Sequence, residues 1–176
     1  MATTYDAIGT YTISGSSTAT ITFSGLPTNY TDLVIAGTHA QTSDNQGITA
    51  YYNGDNGNNY PGNSFYSYYS TNYFIQGDAV STPGSSAIRN QAASGYPAYS
   101  NWGGLEMYIT EYRSNKWKNC LYRNTTATDN GSYLGTYISF GGTTWKNTAA
   151  ITSITIVATG NFTAGSVFTL YGITAG

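Results

Sequence analysis

Thr18-Ala19-Thr20-Ile21-Thr22-Phe23-Ser24 is the stretch that decides the fold. Successive side chains of a strand point to opposite faces. Ala19, Ile21 and Phe23 therefore share one side, and Thr18, Thr20, Thr22 and Ser24 share the other. That two-residue period is the mark of a half-buried strand, and β-branched Thr and Ile suit its pleated surface. The same period recurs along the chain. Leu105, Met107 and Ile109 alternate with Glu106, Tyr108 and Thr110, and a Ser114-Asn115 turn leads into a second run over 116–126. Further runs cover 7–14, 32–40, 47–53, 134–140, 149–158 and 167–173. Gly, Asn, Ser and Pro separate them, and Ser24-Gly25-Leu26-Pro27 reads as a tight reversal between strands. Helical periodicity is nearly absent. About nine short strands predict an all-β fold: an antiparallel β-sandwich, jelly-roll-like.

The composition limits the function. With 176 residues the chain suits a single domain over 1–176 with a sizeable core. Charged residues make up 8% and the net charge is −2, so the surface relies on hydroxyls, amides and backbone for solubility. Charge is what usually keeps monomers apart. A neutral surface rich in Tyr therefore points to a homo-oligomer or larger assembly. Phosphate binding needs clustered Lys and Arg, so no nucleic acid is expected as partner. Arg113, Lys116, Lys118 and Arg123 come nearest to such a cluster, and they read as the solvated face of a hairpin. The single cysteine, Cys120, makes no internal disulfide and fits a small buried hydrophobe. Met1-Ala2-Thr3-Thr4-Tyr5-Asp6 lacks the basic and apolar regions of a signal peptide. No run approaches the 18 apolar residues of a membrane-spanning helix, so no membrane is expected as partner.

Residues 53–104 break the pattern. This long, polar, aromatic insertion is expected to hold one strand near Phe65–Phe74 and an elaborated loop from Asp78 to Asn101. Tyr60, Tyr66, Tyr68, Tyr69, Tyr73, Tyr96, Tyr99 and Trp102 lie within it. Tyr offers rigid amphipathic contact area at low entropic cost, and these eight are the candidate binding or interface residues. Aromatic rings can also stack on sugars.

Catalytic chemistry finds little to use. A Ser-His-Asp triad would need His39, the lone histidine, and no nucleophile elbow accompanies it. His39 reads as an ordinary strand histidine. One His and one Cys cannot build a four-ligand zinc site. Glu106 and Glu111 differ by an odd number, which on a regular strand sends them to opposite sides. Asp55 and Asp78 have no stated reason to meet. Asn53, Asp55, Gly57 and Asn59 alternate like a calcium loop but lack its closing bidentate Glu, so a turn is the better reading. The expectation is a non-enzymatic chain with no catalytic residue, no metal and no cofactor.

The ending of the chain carries a resemblance. Ala150-Ile151-Thr152-Ser153-Ile154-Thr155-Ile156, followed by Gly160-Asn161-Phe162-Thr163-Ala164-Gly165-Ser166-Val167-Phe168-Thr169-Leu170-Tyr171-Gly172-Ile173, resembles the end of a family of bacteriophage virion β-sandwich proteins. Tyr5-Asp6-Ala7-Ile8, Ile21 to Pro27, Tyr30 to Val34, and Tyr52-Asn53-Gly54-Asp55 resemble the same family. The family includes tail-fibre and tail-tip domains and capsid-surface proteins, often trimeric. The resemblance implies a trimeric structural protein of the virion, assembled in the host cytoplasm, with no catalytic site. The chain has no collagen-like repeat and no coiled-coil heptads, which favours a small capsid decoration or cement subunit touching the major capsid protein. The alternative is a tail-fibre or tail-tip module that binds a host surface glycan. Within the motif, Phe162 is expected to plug the end of the core, and Gly172 to allow another chain close or to mark a bulge.

Overall fold

The computed structural model describes residues 5–42, 47–68, 71–77, 102–129 and 134–174. Within these the chain forms eleven strands and no helix. They are β1 (Asp6–Thr12), β2 (Thr18–Ser24), β3 (Asp32–His39), β4 (Ile48–Tyr52), β5 (Gly62–Tyr68) and β6 (Thr71–Gly77). Then follow β7 (Gly103–Ile109), β8 (Lys118–Asp129), β9 (Leu134–Trp145), β10 (Ser153–Phe162) and β11 (Val167–Ile173). The count exceeds the expected nine because the Tyr-rich insertion contributes two strands, β5 and β6, paired as a hairpin. The expected loop over 78–101 lies outside the described residues.

Every pairing is antiparallel. An eight-stranded sheet runs β1-β11-β3-β7-β8-β9-β5-β6, and a three-stranded sheet runs β2-β10-β4. The core lies between them, as in a β-sandwich of jelly-roll-like type. Register explains how the small sheet fills it. Phe23, Ile154 and Tyr52 form one cross-strand row, and Ile21, Ile156 and Ala50 form the next. All six are buried. Leu33 and Ile35 of β3, Leu105, Met107 and Ile109 of β7, and Phe168 and Leu170 of β11 join the same cluster. The alternation read in β2 and β7 is thus the alternation of the folded strands.

Turn chemistry shows where local reading fell short. Ser24 to Pro27 does not close a hairpin. Gly25 adopts φ 64° and the chain leaves the small sheet at β2 to enter the large one at β3. The β7–β8 connection turns at Glu111 to Ser114, where the Ser114 N–H donates to the Glu111 carbonyl and Glu111 takes φ 46°. The expected Ser114-Asn115 turn is therefore displaced. In the C-terminal motif Phe162 is fully buried against Phe168, with ring centroids 5.0 Å apart. Gly172 does admit a close neighbour, but it belongs to the same chain: a Cβ there would lie 2.3 Å from the Tyr30 ring.

Asn53 and Asp55 fix the other end of the sandwich. Asn53, at φ 53°, accepts from the Thr152 and Ser153 N–H groups and donates to the Ala150 carbonyl. The Asp55 carboxylate accepts from the Trp145 indole N–H at 2.8 Å, the Asn59 amide at 2.9 Å and the Gly57 N–H at 3.1 Å. Burial alone would raise its pKa, but these donors outweigh that and hold it below the usual carboxylate value. The segment is a side-chain-braced turn whose carboxylate oxygens are taken by protein donors, as the turn reading expected.

Candidate functional site on the outer sheet face

Of the eight Tyr-rich candidates, the structure describes the side chains of Tyr60 and Trp102. Tyr60 is fully buried; its hydroxyl accepts from the Tyr52 N–H and donates to the Asp55 carbonyl, and its ring stacks on Trp145. Its area is spent on the core. Tyr66, Tyr68 and Tyr73 lie on β5 and β6, where register pairs Tyr66 with Tyr73 and with Ser139. Tyr69, Tyr96 and Tyr99 lie outside the described residues. Trp102 is 37% exposed and its ring lies over Gly165, where a Cβ would come within 3.0 Å of it.

The basic residues also separate. Lys118 is buried, its ammonium donating to the Lys116 carbonyl at 2.6 Å, and burial lowers its pKa. Lys116 pairs with Glu111 at the surface. Arg113 donates to the Thr28 carbonyl. Arg123 pairs with Glu106 at 2.7 Å on the outer face of the large sheet. Cys120 is buried, and burial pushes its thiol up to about 12. Among the described residues no three His, Cys, Asp or Glu side chains gather to hold a metal.

What sequence reading missed is on β8 and β9. Cys120, Tyr122 and Trp145 face the core in the usual way, but over Tyr137–Phe140 and at Leu121 and Asn124 the polarity is inverted. Tyr137, Ser139, Asn124 and Thr126 point inward and are buried, while Leu121, Ile138 and Phe140 point outward and are 63%, 49% and 53% exposed. The inward polar positions continue to His39 through the register His39–Gly103–Thr126. The His39 ring is fully buried, stacks on Phe168 and meets Phe162 edge-on. Among the described residues neither ring nitrogen meets full hydrogen-bond geometry, and Asn124 is the polar side chain that acts on it. Burial lowers its pKa from 6.5 to about 4, and nearby Asn124 opposes this only in part. The expected strand histidine is therefore in place, held among aromatic rings with Asn124 beside it.

The outward side is a continuous face. Its central row, in sheet order, is Thr169, Ala36, Glu106, Arg123, Phe140 and Phe65. Phe65 and Phe140 touch, with centroids 5.1 Å apart. The row on one side carries Val167, Thr38, Gly104, Thr125 and Ile138; the row on the other carries Val34, Tyr108, Leu121, Gly142 and Asn63. The Tyr108 hydroxyl donates to Asp32 at 2.6 Å, a bond that, with burial, pushes its pKa up to about 12. Two open grooves flank the Glu106–Arg123 bridge. One, of about 540 Å³, runs over Ala36, Gly104 and Ile138; the other, of about 560 Å³, runs over Phe65, Leu121 and Gly142. Gly104 and Gly142 make them, because a missing side chain in an outward row leaves a trough between neighbours.

These features define a charge-poor antiparallel β-sandwich with an apolar outer sheet face. No family model, no curated protein and no solved structure matches the chain.

Proposed function

We propose that this chain is a non-enzymatic structural protein of a bacteriophage virion, a capsid decoration or cement subunit that works by covering and being covered. The observation that carries this reading is the local inversion of polarity at Leu121 and Asn124 of β8 and over Tyr137–Phe140 of β9. A lone soluble domain gains nothing by burying Asn124 and Ser139 while exposing Leu121, Ile138 and Phe140. A subunit that presents this face to a neighbour gains an apolar contact at each of the three. The ending that resembles virion proteins supports the setting: it falls on β10, the following turn and β11, the strands that join both sheets through Phe162 and Phe168.

Quantitative mass spectrometry of purified virions tests the proposal. A copy number on the scale of the capsid subunits is the expected result, and absence from the particle overturns it. Trp102 favours a second reading, a tail-tip module that stacks on a host glycan, because its ring is exposed beside the Gly165 turn. That reading requires a copy number of only a few and loss of host adsorption in Trp102→Ala.

A further inference from the structure

We propose that Asn56 is a site of spontaneous deamidation in the folded protein, and that nearby Asn53, in the same chemical setting, is kept from it by its hydrogen bonds. The inference concerns the turn over 53–57 and does not depend on the virion reading.

Both residues precede glycine, in Asn53-Gly54 and Asn56-Gly57. A further such pair, Asn130-Gly131, lies outside the described residues. Asn before Gly carries a built-in reaction, because glycine has no Cβ to keep its nitrogen from the preceding side chain. The Gly nitrogen attacks the Asn side-chain carbon Cγ. A C–N bond forms there, and the bond from Cγ to Nδ2 breaks. Nδ2 leaves as ammonia, carrying the proton that the glycine N–H gives up. The product is a cyclic imide. Water then opens either carbonyl of the ring and leaves aspartate or isoaspartate. Water is consumed and ammonia is released.

Asn53 and Asn56 are both exposed to that water. They differ in what holds them. Asn53 and Gly54 take positive φ, at 53° and 73°, and the Asp55 N–H closes the turn on the Tyr52 carbonyl at 2.8 Å. The imide ring includes the Cα–C bond of its Asn, so closing it turns that bond away from the setting the closed turn requires. The Asn53 side chain is tied as well. Its Oδ1 accepts from the Thr152 N–H at 2.8 Å, the Ser153 N–H at 3.1 Å and the Thr152 hydroxyl at 3.1 Å. Its Nδ2 donates to the Ala150 carbonyl at 2.8 Å. Attack makes Cγ tetrahedral and moves both atoms off these partners. One hydrogen bond of ordinary net strength shifts such an opening about fivefold, so two slow the reaction roughly 25-fold.

Among the described residues Asn56 has neither restraint: no bond closes a turn over it and its side chain meets no partner. The Gly57 N–H donates to the Asp55 Oδ1 at 3.1 Å. An N–H lies in the plane of its peptide, so this bond leaves both faces of the nitrogen open. The carboxylate is also placed to receive the proton that attack releases. Conversion then acts on the turn itself. It adds a negative charge beside Asp55, and isoaspartate lengthens the backbone by a methylene. Both disturb the bonds that Asp55 makes with Gly57 and with the buried Trp145 indole.

Peptide mapping of the purified full chain, kept native at pH 8 for weeks, tests this. Fragmentation in the mass spectrometer places each conversion, and chromatography separates aspartate from isoaspartate. In the native protein Asn56 is expected to convert at least about 25-fold faster than Asn53. In urea, where neither restraint survives, the two rates are expected to converge. Tryptophan emission of the native chain is expected to shift as Asn56 converts, and to stay constant in Asn56→Ala. Equal native rates overturn the proposal, as does a native chain in which neither residue converts while both convert in urea. A gap that persists in urea also overturns it, because the difference then belongs to the sequence. So does faster conversion at Asn53, which would make the Thr152 and Ser153 N–H groups an oxyanion hole.

Discussion

Acidification tests the inner face of the sheet through His39. The folded protein holds this ring neutral down to a pKa of about 4, while the unfolded chain protonates it near 6.5. Below 6.5 the unfolded state gains a proton that the folded state refuses, so stability is full above that pH and falls as the pH drops towards 4. A shift of about 2.5 units at about 1.36 kcal/mol each amounts to roughly 3 kcal/mol, lost at no more than about 1.4 kcal/mol per pH unit. That is a large share of the stability of a domain, about 5–15 kcal/mol. Urea unfolding followed by tryptophan fluorescence at pH 7.5, 6.5, 5.5 and 4.5 measures it. His39→Gln keeps a polar side chain of similar reach but cannot take the proton, and its stability is expected to stay level across this window. Asp55 does not confuse the reading: its pKa is lowered from 3.8, so its contribution is lost only at lower pH. Equal slopes in wild type and His39→Gln, or a wild type whose stability is level from pH 7.5 to 4.5, would refute a buried neutral imidazole.

Other substitutions probe the frame that presents the outer face. Gly172→Ala drives a methyl into the Tyr30 ring and is expected to cost about 1–3 kcal/mol in chemical denaturation, with part of the loss recovered when Tyr30→Ala is added. Asp55→Ala strands the buried Trp145 indole N–H, with an expected cost of about 1.5–3 kcal/mol and a shift of Trp145 emission; an unchanged midpoint would remove Asp55 from its bracing role. The Cys120 thiol, buried with its pKa near 12, is expected to resist Ellman's reagent at pH 8 until urea unfolds the chain. Fast labelling of the native protein would contradict its burial.

Much of the fold was legible because strand alternation is a local property. Ile21 with Phe23, and Leu105 with Met107 and Ile109, face the core as their spacing required. Cys120 as a buried hydrophobe and Phe162 as a core plug follow from residue chemistry alone, and so does the turn built on Asp55. The candidate site was not legible to the same degree. Alternation says that 134–140 has two sides, but not which side faces in. Ordinary polarity assigns Ile138 and Phe140 to the interior, and the structure assigns Tyr137 and Ser139. Tyr60 looked like a surface aromatic and proved to be core, since nothing in its neighbours announces that Asp55 and Tyr52 claim its hydroxyl.

The amino-acid order by itself determined the class of fold, most strand positions and the scarcity of charge, because each depends on a residue and its near neighbours. Tertiary structure alone decided which sheet each strand joined, that the chain crosses between sheets at Gly25, and which face of β8 and β9 meets the core. Those outcomes follow from register between strands distant in sequence: pairing β8 to β7 and β9 to β5 sets the direction of every side chain at once, and a shift of one residue would reverse them all.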